Sequence, residues 1–337
     1  MGWFTAVQSQ DYAGAKWALG QRSREATDAG IDRLFNRGAI LRTHVMRPTW
    51  HFVLPEDVRW LVGLTGPRIR LGLAGRYREL ELDETTVTRA NALFAAALAG
   101  GRQLTRAELG DVLAAARISP EGQRLPHLIM RAELDGLVVS GSRRGKQLTY
   151  ALLEERVPKA RAMERAEAVG ELTRRYFRSH GPAQLVDFVW WSGVTMADGR
   201  TGITLAGDSL ERQEIDGREY WFDAETDGVH DATGVAHLLP NFDEYTVGYR
   251  DRTAAIHADH PFEPALHSFG SVLSNVVVVG GGVRGAWRRR PARGKLVVEI
   301  RTPRPLKRAE ASAVQEAGRR MGRFLEREVE LSWPKTT

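Results

Sequence analysis

The sequence predicts an α+β fold: tandem winged helix-turn-helix modules followed by a small C-terminal β-barrel-like domain. Three observations carry this. The order helix, turn, helix, two-stranded ribbon recurs through residues 1–234, the texture turns β-rich from about Val235, and basic residues gather on hairpins. A chain of 337 residues also exceeds the size at which one core keeps growing, so two to four modules are expected. The expected boundaries are 1–82, 83–156 and 157–234 for three winged-helix modules and 235–337 for the barrel-like domain.

In order, Ala13 to Gly20 reads as a helix, and Thr27 as the N-cap of a short helix from Asp28 to Asn36, whose Ile31, Leu34 and Phe35 share one face. Ile40–Val45 and Thr49–Leu54 read as strands around Met46-Arg47-Pro48, and Pro55 opens a helix to about Leu64. Thr85–Leu98 is rich in Ala and Leu, and Thr105 with Glu108 is a capping box for the next helix. A third helix carries Pro126 in its first turn and stops at Asp135 with Gly136 beyond it. Val138-Val139 and Leu148–Leu152 then flank a tip with Arg143, Arg144 and Lys146. In the third round a basic helix from Arg156 to Ser179 is followed by a helix from Ala183 to Ser192, whose Trp190-Trp191 read as core. A short segment, Thr195–Leu205, leads to a hairpin turning at Asp216-Gly217. Thereafter come the Leu238–Tyr245 loop, a hairpin around Gly280-Gly281-Gly282, a strand at Lys295–Ile300, an amphipathic helix from Arg308 to Leu325 and a closing strand at Val329–Trp333.

Composition narrows the function. There is no cysteine, which excludes disulfides, thiol nucleophiles, iron–sulfur clusters and Cys-ligated zinc and fits a cytoplasmic protein. No apolar run spans a bilayer, so no membrane partner is expected, and Met1-Gly2-Trp3 carries no signal-peptide pattern. The net charge of +6 points to a polyanion. Residues Arg284 to Arg308 hold ten cations with Glu299 as the lone acid, an imbalance suited to phosphate. His257, Asp259, His260 and His267 match no standard metal spacing, and the three glycines at 280–282 lack the strand-to-helix context of a phosphate loop. Neither a metal nor a cofactor is expected.

The chemistry candidate is Gln8-Ser9-Gln10-Asp11, a compact set of donors and acceptors just ahead of a helix. Five phrases stand in order along the chain: Val7 to Asp11 with Ala15 to Ala18, His44 to His51, Asp187 to Gly193, Leu239 to Tyr245, and Gly282 to Arg288. In these the chain resembles the winged-helix DNA glycosylases of the AlkZ and YcaQ type, bacterial enzymes that excise bulky alkylated bases.

The resemblance implies three winged-helix modules with a β-barrel, duplex DNA carrying alkylated bases as partner, and Gln8 and Gln10 as the catalytic pair. It places Gln10 ahead of Asp11 as water positioner, with Asp11 as catalytic support. Two departures stand out: Ser9 occupies a position the family usually gives to an apolar side chain, and the family's helix ahead of the motif has no counterpart in residues 1–7. The side chains expected on DNA are His44, Arg47 and His51 on the first wing, Arg143, Arg144 and Lys146 on the second, and Arg284, Trp287 and Arg288 on the late hairpin. Lys16 reads as an exposed or phosphate-contacting lysine rather than a Schiff-base nucleophile.

A cationic N-alkylpurine leaves as a neutral base and needs little acid catalysis. Uncharged amides can then suffice to place a water and face an oxocarbenium-like sugar. The expected product is a monomeric, monofunctional glycosylase of the nucleoid, able to unhook interstrand crosslinks. The other class the sequence admits is a noncatalytic winged-helix regulator, which would bind one sequence rather than any phosphate backbone.

Overall fold

The computed structural model describes all residues except 158–160, 227–231, 256–274, 293–294 and 334–337. The cluster His257, Asp259, His260, His267 therefore lies outside the described residues.

Local signals start most elements where the sequence places them. Strand β1 (Ala6–Gln8) is followed by α1 (Tyr12–Gly20) and α2 (Asp28–Asn36). Thr27 caps α2 through its Oγ1, 3.0 Å from Gly30 N. After β2 (Leu41–Val45) and β3 (Thr49–Val53) comes α3 (Val58–Glu79), far longer than the expected stop near Leu64. Pro67 inside it donates no hydrogen bond to the carbonyl of Gly63, but Gly63 is exposed, so water can serve that oxygen. Burial of Leu61, Leu64, Ile69 and Tyr77 sustains the helix past its local breaker.

Helix α4 (Glu84–Leu98), β4 (Leu104–Thr105), α5 (Arg106–Ala115), α6 (Arg124–Leu134), β5 (Val138–Arg144) and β6 (Gln147–Leu152) follow. The expected capping box is present: Thr105 accepts from Glu108 N, and Glu108 accepts from Thr105 N. Phe94, Leu98, Leu109, Leu113, Leu128, Ile129 and Val138 form one core beneath the sheet β4-β6-β5. Next are α7 (Leu153–Arg156), α8 (Arg165–His180), α9 (Leu185–Ser192), α10 (Met196–Ala206), β7 (Leu210–Ile215) and β8 (Arg218–Asp223). Asp216 and Gly217 turn this last hairpin with φ of 52° and 70°, the two left-handed residues of a type I′ turn.

The C-terminal part contains β9 (Ala236–Leu239), α11 (Glu244–Val247), β10 (Asn275–Val279), β11 (Gly282–Ala292), β12 (Lys295–Arg301), α12 (Arg308–Leu325) and β13 (Val329–Ser332). The sheet runs β13-β12-β11-β10-β9, antiparallel except for the parallel β12–β13 pair. Among the described residues its end strands do not pair, so the expected barrel is a curled half-barrel. Val314, Ala317, Met321 and Phe324 recur at helical spacing and form the buried face of α12.

By internal contacts the chain forms two units, residues 1–7 with 32–226 and residues 8–31 with 227–337. The expected limits at 83 and 157 fall within the first unit. The segment 8–31, which the sequence assigns to the first module, belongs to the second. Helix α1 meets α12 there: the Trp17 and Phe324 rings lie 5.2 Å apart.

Candidate active site and nucleic-acid interface

The Gln-Ser-Gln-Asp stretch is the turn from β1 into α1. Gln8 ends the strand and is buried, Ser9 is wholly enclosed, and Gln10 is exposed. Ser9, where the resemblance leads one to expect an apolar side chain, is thus a buried position. Asp11 is the N-cap of α1: its Oδ1 accepts from the N–H of Ala13 and of Gly14, both at 3.1 Å. That satisfies two of the helix's orphan donors and gives Asp11 a structural task that the sequence did not reveal. Gly14 permits it, because a Cβ there would lie 2.6 Å from Asp11 Oδ2 and 3.2 Å from the Pro240 Cβ.

Within the second unit, Leu238 and the Leu239–Tyr245 phrase anchor this turn and the helix after it. Gln8 N donates to Glu244 Oε1 at 2.8 Å, and Trp17 Nε1 donates to the Leu238 carbonyl at 2.6 Å. Arg22, just past α1, grips Asp243 with both guanidinium ends at 2.8 and 2.6 Å, a bidentate pair. Burial works against the Arg22 charge, but Asp243 and then Glu244 outweigh it and raise its pKa. Asp243 also caps α11 by accepting from Tyr245 N, and the preceding Phe242 sits at φ 63°, a strained backbone held by these ties. The late hairpin joins the same cluster through Trp287 Nε1, which donates to the Leu239 carbonyl at 2.9 Å. Three of the five phrases therefore converge.

Lys16 is not the exposed lysine the sequence suggests. It is buried and paired with Asp28 at 2.7 Å. Arg289 is a site residue the sequence reading passed over. It is half-buried beside the Trp287 ring, and burial lowers its pKa while Asp11 and Asp28 act in the opposite direction. Strand alternation would have found it, since Trp287 and Arg289 share one face of β11 while Arg288 points to the other. On that other face Arg288, Arg290 and Arg301 converge on Glu299, with N···O distances of 2.8, 2.9 and 3.1 Å. Glu244 was likewise missed: its phrase was recognised, but nothing local marks a carboxylate that meets a backbone 236 residues away.

In the first unit the other two phrases meet. The Arg47 guanidinium stacks 4.0 Å from the Trp190 ring centroid. Gly193, at φ +75°, passes so close to Met46 that a Cβ would lie 2.4 Å from its carbonyl oxygen.

The nine side chains expected on DNA separate by environment. His44, His51 and Trp287 are enclosed by the fold. His44 Nδ1 pairs with buried Glu133 in a short contact, and His51 Nδ1 lies 3.0 Å from the Thr49 carbonyl. The physical reason is the same in each case: a buried polar ring requires an internal partner, and each has one. Arg143 is half-buried against Asp32 and Asn36, and Arg284 is half-buried 3.9 Å from Glu310. Arg144 and Lys146 stand exposed at the β5–β6 tip, where Arg144 reaches Glu108 at 2.7 Å.

Among the described residues no helix is long and apolar enough to cross a membrane. The family described as DNA glycosylase AlkZ-like matches residues 1–324. The solved structure of the Streptomyces sahachiroi DNA glycosylase AlkZ superposes with a TM-score of 0.79 at 22% identity, over 98% of this chain and 92% of that one. At that identity the likeness establishes the fold. No curated protein matches the chain.

Proposed function

The chain belongs to the AlkZ-like DNA glycosylase family, and from that premise we propose that it hydrolyses the N-glycosidic bond of bulky N7- or N3-alkylated purines in duplex DNA. Where such a purine bridges two strands, the same cut unhooks the crosslink. The observation that carries this reading is the anchoring of the Gln8–Asp11 turn. Its main chain is tied to Glu244, its helix to Leu238 and Asp243, and Asp11 is engaged as a cap, so the exposed Gln10 amide is the group presented for chemistry.

In this mechanism the Gln10 carbonyl oxygen holds a water at C1′ and faces the developing positive charge on the sugar, while the Gln8 amide braces the turn. The water oxygen bonds to C1′, the C1′–N pair goes to the purine, which leaves neutral, and the water's proton passes to solvent. Because the lesion is already cationic, a neutral amide avoids desolvating a carboxylate at the site. Lys16, enclosed and paired with Asp28, supports a monofunctional enzyme without a Schiff-base lyase step.

The order α4-β4-α5-α6-β5-β6, with its exposed Arg144 and Lys146 tip, supports reading this part of the first unit as a winged helix that holds backbone phosphate. The enzyme is proposed to act as a monomer on nucleoid DNA in the cytoplasm. The test is duplex carrying a single N7-methylguanine beside duplex carrying a single uracil. Free base and an alkali-labile abasic site are expected from the first alone. Tight sequence-selective binding with no release from either would replace the enzyme by a regulator. Equal release of the neutral uracil would remove the argument from a pre-charged leaving group.

A further inference from the structure

The ties on the catalytic turn are unequal. Trp17 and Arg22 hold α1, the helix that follows the turn, whereas Glu244 alone of these holds Gln8 itself. The Gln8 N–H stands where β1 ends and the chain leaves its ladder for the bend at Gln10. A buried N–H at such a point requires an acceptor. The acceptor is a carboxylate that is itself buried, on the first residue of α11, next to the Asp243 that clamps Arg22. Burying a carboxylate is costly unless it is hydrogen-bonded or paired, and here Oε1 accepts from the main chain at the residue the chemistry depends on.

Resting on the glycosylase reading above, we infer that Glu244 is a positioning residue: its Oε1 sets where the main chain turns at Gln8 and thereby where the two amides stand against C1′. At Gln8 it acts through reach, by placing an acceptor 2.8 Å from Gln8 N, while its charge is felt at Arg22. Position and charge predict opposite orders for two conservative variants. Glu244→Gln keeps a carbonyl acceptor at the same reach and removes the charge. Glu244→Asp keeps the charge and withdraws the acceptor by one methylene.

The experiment uses the full chain, single-turnover release of N7-methylguanine at saturating enzyme, duplex affinity by fluorescence anisotropy, and a thermal melt of each variant. Misplacement of a reacting group by about 1 Å can slow a reaction about 100-fold, so Glu244→Asp is expected to lose about 10- to 100-fold in rate. Its duplex affinity should stay within about 3-fold of wild type, and Glu244→Gln should stay within about 3-fold in rate, both far smaller effects than a misplaced reacting group produces. Equal rates for both variants and wild type would overturn the inference. So would a Glu244→Asp enzyme faster than Glu244→Gln, or two variants equally slow. Should wild type release no base at all, the glycosylase reading is what fails. The anchor is then read by hydrogen exchange at the Gln8 amide, expected to be protected in wild type and Glu244→Gln and to be released in Glu244→Asp. Equal protection in all three would overturn it.

Discussion

Asp11 is the sharpest place to separate architecture from chemistry, because a carboxylate beside two glutamines invites assignment as the water activator. Its Oδ1 accepts from Ala13 N and Gly14 N at 3.1 Å each, the geometry of an N-cap. Removing such a cap typically destabilises by about 1 kcal/mol, within a range of about 0.5–2, whereas Asn caps as well as Asp. Asp11→Ala should therefore lower the melting temperature by about 1–3 °C for a protein of this size, and Asp11→Asn should leave it unchanged. The two roles diverge in rate. If Asp11 only caps α1, Asp11→Asn should release N7-methylguanine within about 3-fold of wild type, far from the 100- to 10,000-fold loss of a deleted general base. The assay is single-turnover base release paired with a thermal melt on the same preparation. An Asp11→Asn protein that melts like wild type and loses more than about 100-fold in rate would make Asp11 the base and refute the reasoning.

Gly14→Ala would ordinarily strengthen a helix interior by about 1 kcal/mol. Here the added Cβ meets Asp11 Oδ2 at 2.6 Å and the Pro240 Cβ at 3.2 Å, so the melting temperature should fall instead. Gly193→Ala combines φ +75° with a Cβ 2.4 Å from the Met46 carbonyl oxygen, and a loss of more than about 1 kcal/mol is expected in urea unfolding. His237 has its pKa lowered by burial first, then by Arg320 and Arg22, against Asp243. The sign follows: the unfolded chain takes up the proton near its ordinary pKa of about 6.5 while the folded chain resists it. The His237 contribution is thus present above that pH and is lost as pH falls through the lowered folded value. His237→Gln should flatten the fall in urea midpoint between about pH 7.5 and 5; an unchanged slope would exclude this histidine as its source.

What the sequence reveals is chiefly what neighbouring residues decide. The Thr27 cap, the Thr105–Glu108 box and the Asp216-Gly217 turn are settled within four residues, and each stands where it was expected. Helix α3 runs past Gly66-Pro67 because burial of Ile69 and Tyr77 outweighs a local breaker. The joining of residues 8–31 to the C-terminal unit was hidden for a related reason: Trp17, Arg22 and Gln8 find their partners more than 200 residues away. At the site, the phrases were readable as words, but their geometry was not. Nothing local marks that His44 meets Glu133 and that the His51 ring turns to the Thr49 carbonyl. Arg288 was singled out by its phrase, whereas Arg289, on the Trp287 face of β11, is legible only by following the strand's alternation.

In the proposed reaction two neutral amides carry the hydrolysis once the lesion supplies its own leaving group. Single-turnover release of N7-methylguanine by wild type, Gln8→Ala and Gln10→Ala, each with its melting curve, tests it most directly. Folded variants that each lose about 100-fold or more in rate are predicted, with the duplex still bound. Folded variants that release base as fast as wild type would contradict the claim.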